Sequence, residues 1–136
     1  MVYGNDDRAE VYAHPSSVLR ELAENAIAMK VDPDDLDLSN PNNVRWDYSR
    51  TLGAAQNLCA DERFADQIDP GSCSGTLIDN RYLLTAGHCM DRGRDCRDRV
   101  WVFGFRFDSP GRLSTLTSDD VYGCNRVLAY FDANGV

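Results

Sequence analysis

The sequence predicts an all-β domain, a barrel or sandwich of short strands, carrying an N-terminal extension with one short helix. Three observations lead there. From residue 70 onward, short β-rich runs alternate with turns: CSGTLI, RYLLTA, RVWVFGFRF, RLSTL and VYGCNRVLAYF. Strands this short at this spacing suit two packed sheets or a closed barrel. Within RVWVFGFRF, Trp101, Phe103, Phe105 and Phe107 alternate with Val100, Val102 and Gly104, which is the two-faced period of a strand. Helical spacing, by contrast, is confined to one stretch near the N-terminus.

The elements follow in chain order. Residues 1–13 are mixed in character and suggest a short strand around Val11. In HPSSVLRELAENAIAMK, Pro15 with Ser16 or Ser17 starts a helix, and Val18, Leu22 and Ala26 fall on one face. Ile27, Met29 and Val31 then alternate, so the helix runs into a strand. Residues 32–49, DPDDLDLSNPNNVRWDYS, read as a polar loop dense in Asp, Asn and Pro. Its carboxylates invite calcium, but their spacing is not that of an EF-hand loop, and no glycine turns it or glutamate closes it. Asp79-Asn80-Arg81 forms the turn between two buried strands, and DSPG at 108–111 forms the turn of a later hairpin. Gly75 admits a close neighbour, and Gly87 permits a bend directly after the second strand. The chain divides at residue 50 into an extension, 1–50, and a β domain, 51–136.

Composition narrows the function classes. The 136 residues suffice for one domain with a core. A net charge of −8 disfavours nucleic acid and anionic membrane surfaces as partners, and no apolar run reaches the ~18 residues of a membrane span. MVYGNDDRAEVY lacks the basic-then-apolar pattern of a signal peptide, so the chain is expected to be cytosolic or to have lost a leader before Met1. Its five cysteines, Cys59, Cys73, Cys89, Cys96 and Cys124, favour an oxidising compartment and leave one thiol unpaired.

The chemistry concentrates in CSGTLIDNRYLLTAGHC, residues 73–89. His88, one of only two histidines, closes the second strand, and Cys73 and Cys89 bracket the hairpin and could clamp it. Closing a loop of that size contributes roughly 3 kcal/mol in the chain-entropy model. An imidazole held rigidly at a strand end is what a general base requires. A zinc reading of Cys73, His88, Cys89 and Cys96 is disfavoured, because His88 and Cys89 are adjacent and no C-x-x-C pair exists. The other histidine, His14, beside Pro15 at a helix start, is expected to be a surface residue.

The segment CSGTLI…LLTAGHC resembles the histidine region of the trypsin/chymotrypsin-like serine peptidases. The resemblance implies that His88 is the general base of a Ser-His-Asp triad, that Cys73 and Cys89 are bonded, and that the fold is a single Greek-key β-barrel, the first of the family's two. VYGNDDRAEV is similar to the start of bacterial glutamyl-endopeptidase-type enzymes, and NLCADERF fits a bacterial member. A secreted or periplasmic location and peptide or protein substrates follow from the resemblance, which implies no metal or organic cofactor. The family's nucleophile lies in a Gly-Asp-Ser-Gly-like segment, and none of the nine serines here has such surroundings. The serine, oxyanion hole and specificity pocket are therefore expected in a missing C-terminal barrel, and these 136 residues alone are expected to be inactive. Candidates for the orienting aspartate are Asp119, Asp120 and Asp132. None heads an apolar strand of the type Asp-x-Ala-Leu, which places the aspartate just past Val136. Cys96–Cys124 is a further candidate pair, leaving Cys59 for a partner in the absent half or as the tether of a nicked two-chain enzyme. The alternative is a non-catalytic peptidase-like binding or scaffold module.

Overall fold

A computed structural model describes residues 5–90 and 94–131. The architecture is mostly β, with an antiparallel sheet curled into a half-barrel and few helices. The helix α1 spans Ser17–Ala26, with Ser16 as its N-cap accepting from the Leu19 amide at 3.4 Å. It runs directly into β1, Ile27–Val31, as the change of period predicts. The stripe Val18 and Leu22 faces solvent, however, at 63% and 54% exposure. Residues 11–13 form a 3-10 turn rather than the expected strand: the amides of Ala13 and His14 bond back to Glu10 and Val11, leaving nothing for a neighbouring strand.

The main sheet has the order β5-β4-β1-β6-β9. Its further members are β4 (Gly71–Asp79), β5 (Tyr82–Thr85), β6 (Val100–Phe103) and β9 (Val121–Gly123). The central strand therefore comes from residues 27–31, flanked by strands from beyond residue 70. Between them lie α2 (Leu52–Gln56) and the two-residue strands β2 (Leu36–Asp37) and β3 (Arg45–Trp46). After β4 and β5 come α3 (Arg94–Asp98) and the hairpin of β7 (Phe107–Ser109) and β8 (Arg112–Leu113). Gly111 turns that hairpin at φ 71°, as DSPG predicts. No helix among the described residues is long and apolar enough to cross a membrane.

Register assigns the two faces. Ala28 and Lys30 face the same side as Gly75, Cys73, Phe103 and Trp101, their cross-strand partners. This side packs Ala28, Trp101, Met90 and Cys96 into one core. The opposite side builds a second core from Val31, Val102, Leu36, Val44 and Leu116. Thus the acidic segment 32–49 is not a solvated loop throughout. Leu36 and Val44 close the core, and Val44 bridges to Leu116. Its carboxylates are engaged locally: Asp32 pairs with Arg99 at 2.7 Å, and Ser39 holds the Asp37 carboxyl below its ordinary pKa by hydrogen bonding. Burial, with Asp32 and Asp34 nearby, pushes Asp35 up.

The aromatic stripe does not continue through one strand. Gly104 takes φ 69° and ends β6, a conformation glycine adopts without strain. Trp101 and Val102 are both buried, so β6 is covered on both faces. Beyond the break, Phe105 packs edge-on against Trp46, while Phe103 packs against Tyr122. Likewise only Val121–Gly123 of VYGCNRVLAYF is a strand.

Candidate active site

The site starts from a hairpin. β4 and β5 pair with Gly75 opposite Thr85 and Leu77 opposite Leu83. Gly75 is required by its neighbours: a Cβ there would lie 2.8 Å from Leu83 Cδ2 and 2.9 Å from Trp101 Cζ3. At the end of β5, the Thr85 hydroxyl donates to the Ser74 carbonyl at 2.7 Å and ties the strand end to β4. The chain then enters a 3-10 turn, Gly87–Cys89, with the Cys89 amide bonded to the Ala86 carbonyl at 2.9 Å and that of Met90 to Gly87 at 3.0 Å. The bend is made by this turn without a positive φ at Gly87.

His88 sits at the middle of the turn and is exposed, while Cys89 and Met90 on its C-terminal side are buried. Three anchors hold the turn. The first is the disulfide Cys73–Cys89, with Cα atoms 6.0 Å apart. The second is Met90, which inserts into the core with Trp101. The third is Lys30, which the sequence did not reveal. It is buried on the central strand, and its Nζ donates to the Cys89 carbonyl at 2.6 Å and pairs with Asp95 Oδ2 at 3.4 Å. A buried ammonium needs such partners, and here they join β1, the histidine turn and α3. A lysine on a strand carries no such signal in sequence, because its partners are set by tertiary packing.

No hydrogen bond joins Asp119 or Asp120 to His88, and both precede β9, at the sheet edge opposite β5. Asp120 is also engaged, accepting from the Thr117 amide at 2.7 Å and its hydroxyl at 2.9 Å in a capping box. Asp132 lies outside the described residues. Among the described residues, no carboxylate or hydroxyl bonds the His88 ring. His14, half-buried, accepts from the Ser16 amide through Nδ1 at 3.2 Å and serves the start of α1.

The remaining cysteines fall as the candidate pairing had them. Cys96 on α3 is bonded to Cys124 just after β9, and Cys59 is free and exposed. Cys96 is thereby removed from any shared donor set, whereas Cys73, Cys89 and His88 bring their ligand atoms within 4.8 Å of one another. In the oxidised protein neither sulfur is a thiolate, so no metal is held there. The apolar depression of about 450 Å³ under α1, lined by Ala23, Ile27, Met29 and Phe105 among others, does not include His88.

Residues 58–110 match the family model described as Trypsin. The match contains the hairpin, His88 and the strand that packs beneath them, and it supports a trypsin-like serine peptidase relationship for that stretch. Neither the curated proteins nor the solved structures offer a match to the chain.

Proposed function

We propose that this chain supplies the general-base histidine of a trypsin-like serine endopeptidase. The observation that carries the reading is His88 itself, an exposed imidazole on a turn cross-linked to the neighbouring strand, inside the segment that matches the Trypsin model. In such a site a serine hydroxyl attacks the scissile carbonyl. His88 takes its proton and returns it to the leaving amine, and an aspartate orients the ring and stabilises its cation. Pinning the turn fixes where the ring can reach and leaves the chemistry to groups brought to it.

In this reading the aspartate follows shortly after Val136, still in the first barrel, and the nucleophile comes from a C-terminal barrel that also holds the oxyanion donors. Residues 51–136 would be the first, Greek-key barrel and residues 1–50 its extension, lending the sheet its central strand. The 136 residues by themselves are inactive. Peptides and proteins are the substrates, and two disulfides suit a secreted or periplasmic enzyme, bacterial and glutamyl-endopeptidase-like by its N-terminal sequence. The alternative, a peptidase-like binding module, is favoured by one observation: no described acid or hydroxyl engages His88.

The two readings separate on expression of the full reading frame that contains these residues. Casein hydrolysis and labelling by a fluorophosphonate are measured. The first reading expects both, with His88→Ala lowering kcat by about 10⁴- to 10⁶-fold and no label on the 136 residues alone. Full-frame protein that is folded yet neither labels nor cleaves supports the binding module, and label on the short chain overturns the assignment of the nucleophile elsewhere.

A further inference from the structure

We propose that reduction of the Cys73–Cys89 disulfide converts the histidine turn into a zinc site, with Cys73 Sγ, Cys89 Sγ and one His88 ring nitrogen as ligands and water as the fourth. The donor atoms lie within 4.8 Å of one another, the two sulfurs as the disulfide itself and the ring nitrogen on the residue beside Cys89. Tetrahedral zinc, with bonds of about 2.3 Å to sulfur and about 2.0 Å to nitrogen, needs ligand atoms about 3.5–3.8 Å apart. Two adjustments supply that spacing. Cleaving the S–S bond lets the sulfurs separate, and the exposed His88 side chain can rotate inward without disturbing the core. Their backbones stay in place, because Cys73 is held in β4 beside the central strand and Cys89 by its 3-10 turn and by Lys30.

The chemistry balances. A dithiol reductant delivers two electrons and two protons to the disulfide and becomes a disulfide itself, leaving two thiols on the protein. Zinc binding then releases both thiol protons to solvent, and two thiolates with a neutral imidazole around Zn²⁺ form a site without net charge. The site opens to solvent on the His88 side, which leaves room for entry of the ion and for the water ligand. The outcome is a redox-gated switch: oxidised, His88 is free; reduced in the presence of zinc, it is a ligand. The inference does not rest on a catalytic role for His88.

The test uses the full chain with Cys59→Ser, treated with a dithiol and titrated with Cd²⁺ as the probe for thiolate-to-metal absorption, then with Zn²⁺ in competition. Near-UV circular dichroism follows the fold. One Cd²⁺ per chain is expected for the reduced protein and none for the oxidised. His88→Gln, an exposed substitution that leaves the core alone, is expected to retain the absorption band while weakening binding at least tenfold. Cys73→Ser is expected to lose the band. Imidazole ¹⁵N resonances of His88 are expected to shift on adding Zn²⁺ only after reduction. Binding unchanged in His88→Gln, a band that instead disappears in Cys96→Ser, or reduced protein that loses its tertiary signal and does not regain it with Zn²⁺ would each overturn the proposal.

Discussion

At the scale of single residues, Lys30 matters as much to the candidate site as His88 does. Its ammonium is buried on β1, and its two partners belong to different segments, the Cys89 carbonyl and the Asp95 carboxylate. Replacement by methionine keeps the apolar stem but leaves the buried carbonyl without its donor. Hydrogen bonds to charged groups at such places are worth about 2–3 kcal/mol. Lys30→Met is therefore expected to lower unfolding stability by about that amount in urea, and to speed hydrogen exchange of the Cys89 and Met90 amides beyond the global change. Exchange at those two amides that merely tracks global stability would show that Lys30 does not hold the turn. His88 could be singled out as a candidate in the sequence because its surroundings are local: two apolar strands, a polar turn, Gly75 and a cysteine at either end all lie within seventeen residues. Lys30 could not, because nothing within its own segment distinguishes a buried lysine from an exposed one.

At the scale of elements, the same contrast recurs. The helix-to-strand junction at Ala26 and Ile27, the β4–β5 hairpin and the β7–β8 hairpin were all legible, since capping serine, alternation and turn chemistry are written locally. The 3-10 turn at Val11, the end of β6 at Gly104 and the core role of Leu36 and Val44 were not. Each depends on whether a partner strand or a second layer is available, which composition does not encode. Cross-links at this scale carry weight because the connected elements are small. Cys96 on the five-residue α3 reaches Cys124 after the three-residue β9, 28 residues on. Closing such a loop is worth about 3–4 kcal/mol in the chain-entropy model. The double variant Cys96→Ala/Cys124→Ala is expected to lose roughly that much stability in thermal unfolding while Cys73–Cys89 still forms. A loss below 1 kcal/mol would mean that α3 and β9 are held mainly by burial of Cys96 against Trp101.

At the scale of the whole molecule, the sheet is open, and one of its faces is only half covered. Over β1 and β6 that face is closed by Leu36, Val44 and Leu116. Over β4 and β5 a cross-strand row of Ile27, Thr76 and Leu84 continues the same surface, yet Ile27 and Leu84 are 43% and 62% exposed. The aromatic stripe is engaged: Trp101 is buried, and Phe103 and Phe105 are paired with Tyr122 and Trp46. The uncovered residues are aliphatic because Trp101 and Phe103 lie on the other face, with Ala28 and Lys30. Contiguous exposed apolar surface of this kind takes up hydrophobic dyes. An anionic naphthalene sulfonate is a stringent probe here, since the net charge of −8 repels it and only apolar contact can retain it. The native protein is expected to enhance the dye's fluorescence. Leu84→Thr puts a β-branched residue of good strand propensity at that position and is expected to reduce that enhancement several-fold, with stability changed by no more than about 0.5 kcal/mol. If the enhancement survives both Leu84→Thr and Ile27→Thr, the dye is reading the exposed stripe of α1 instead, and the face beside β5 is not the open side of the fold.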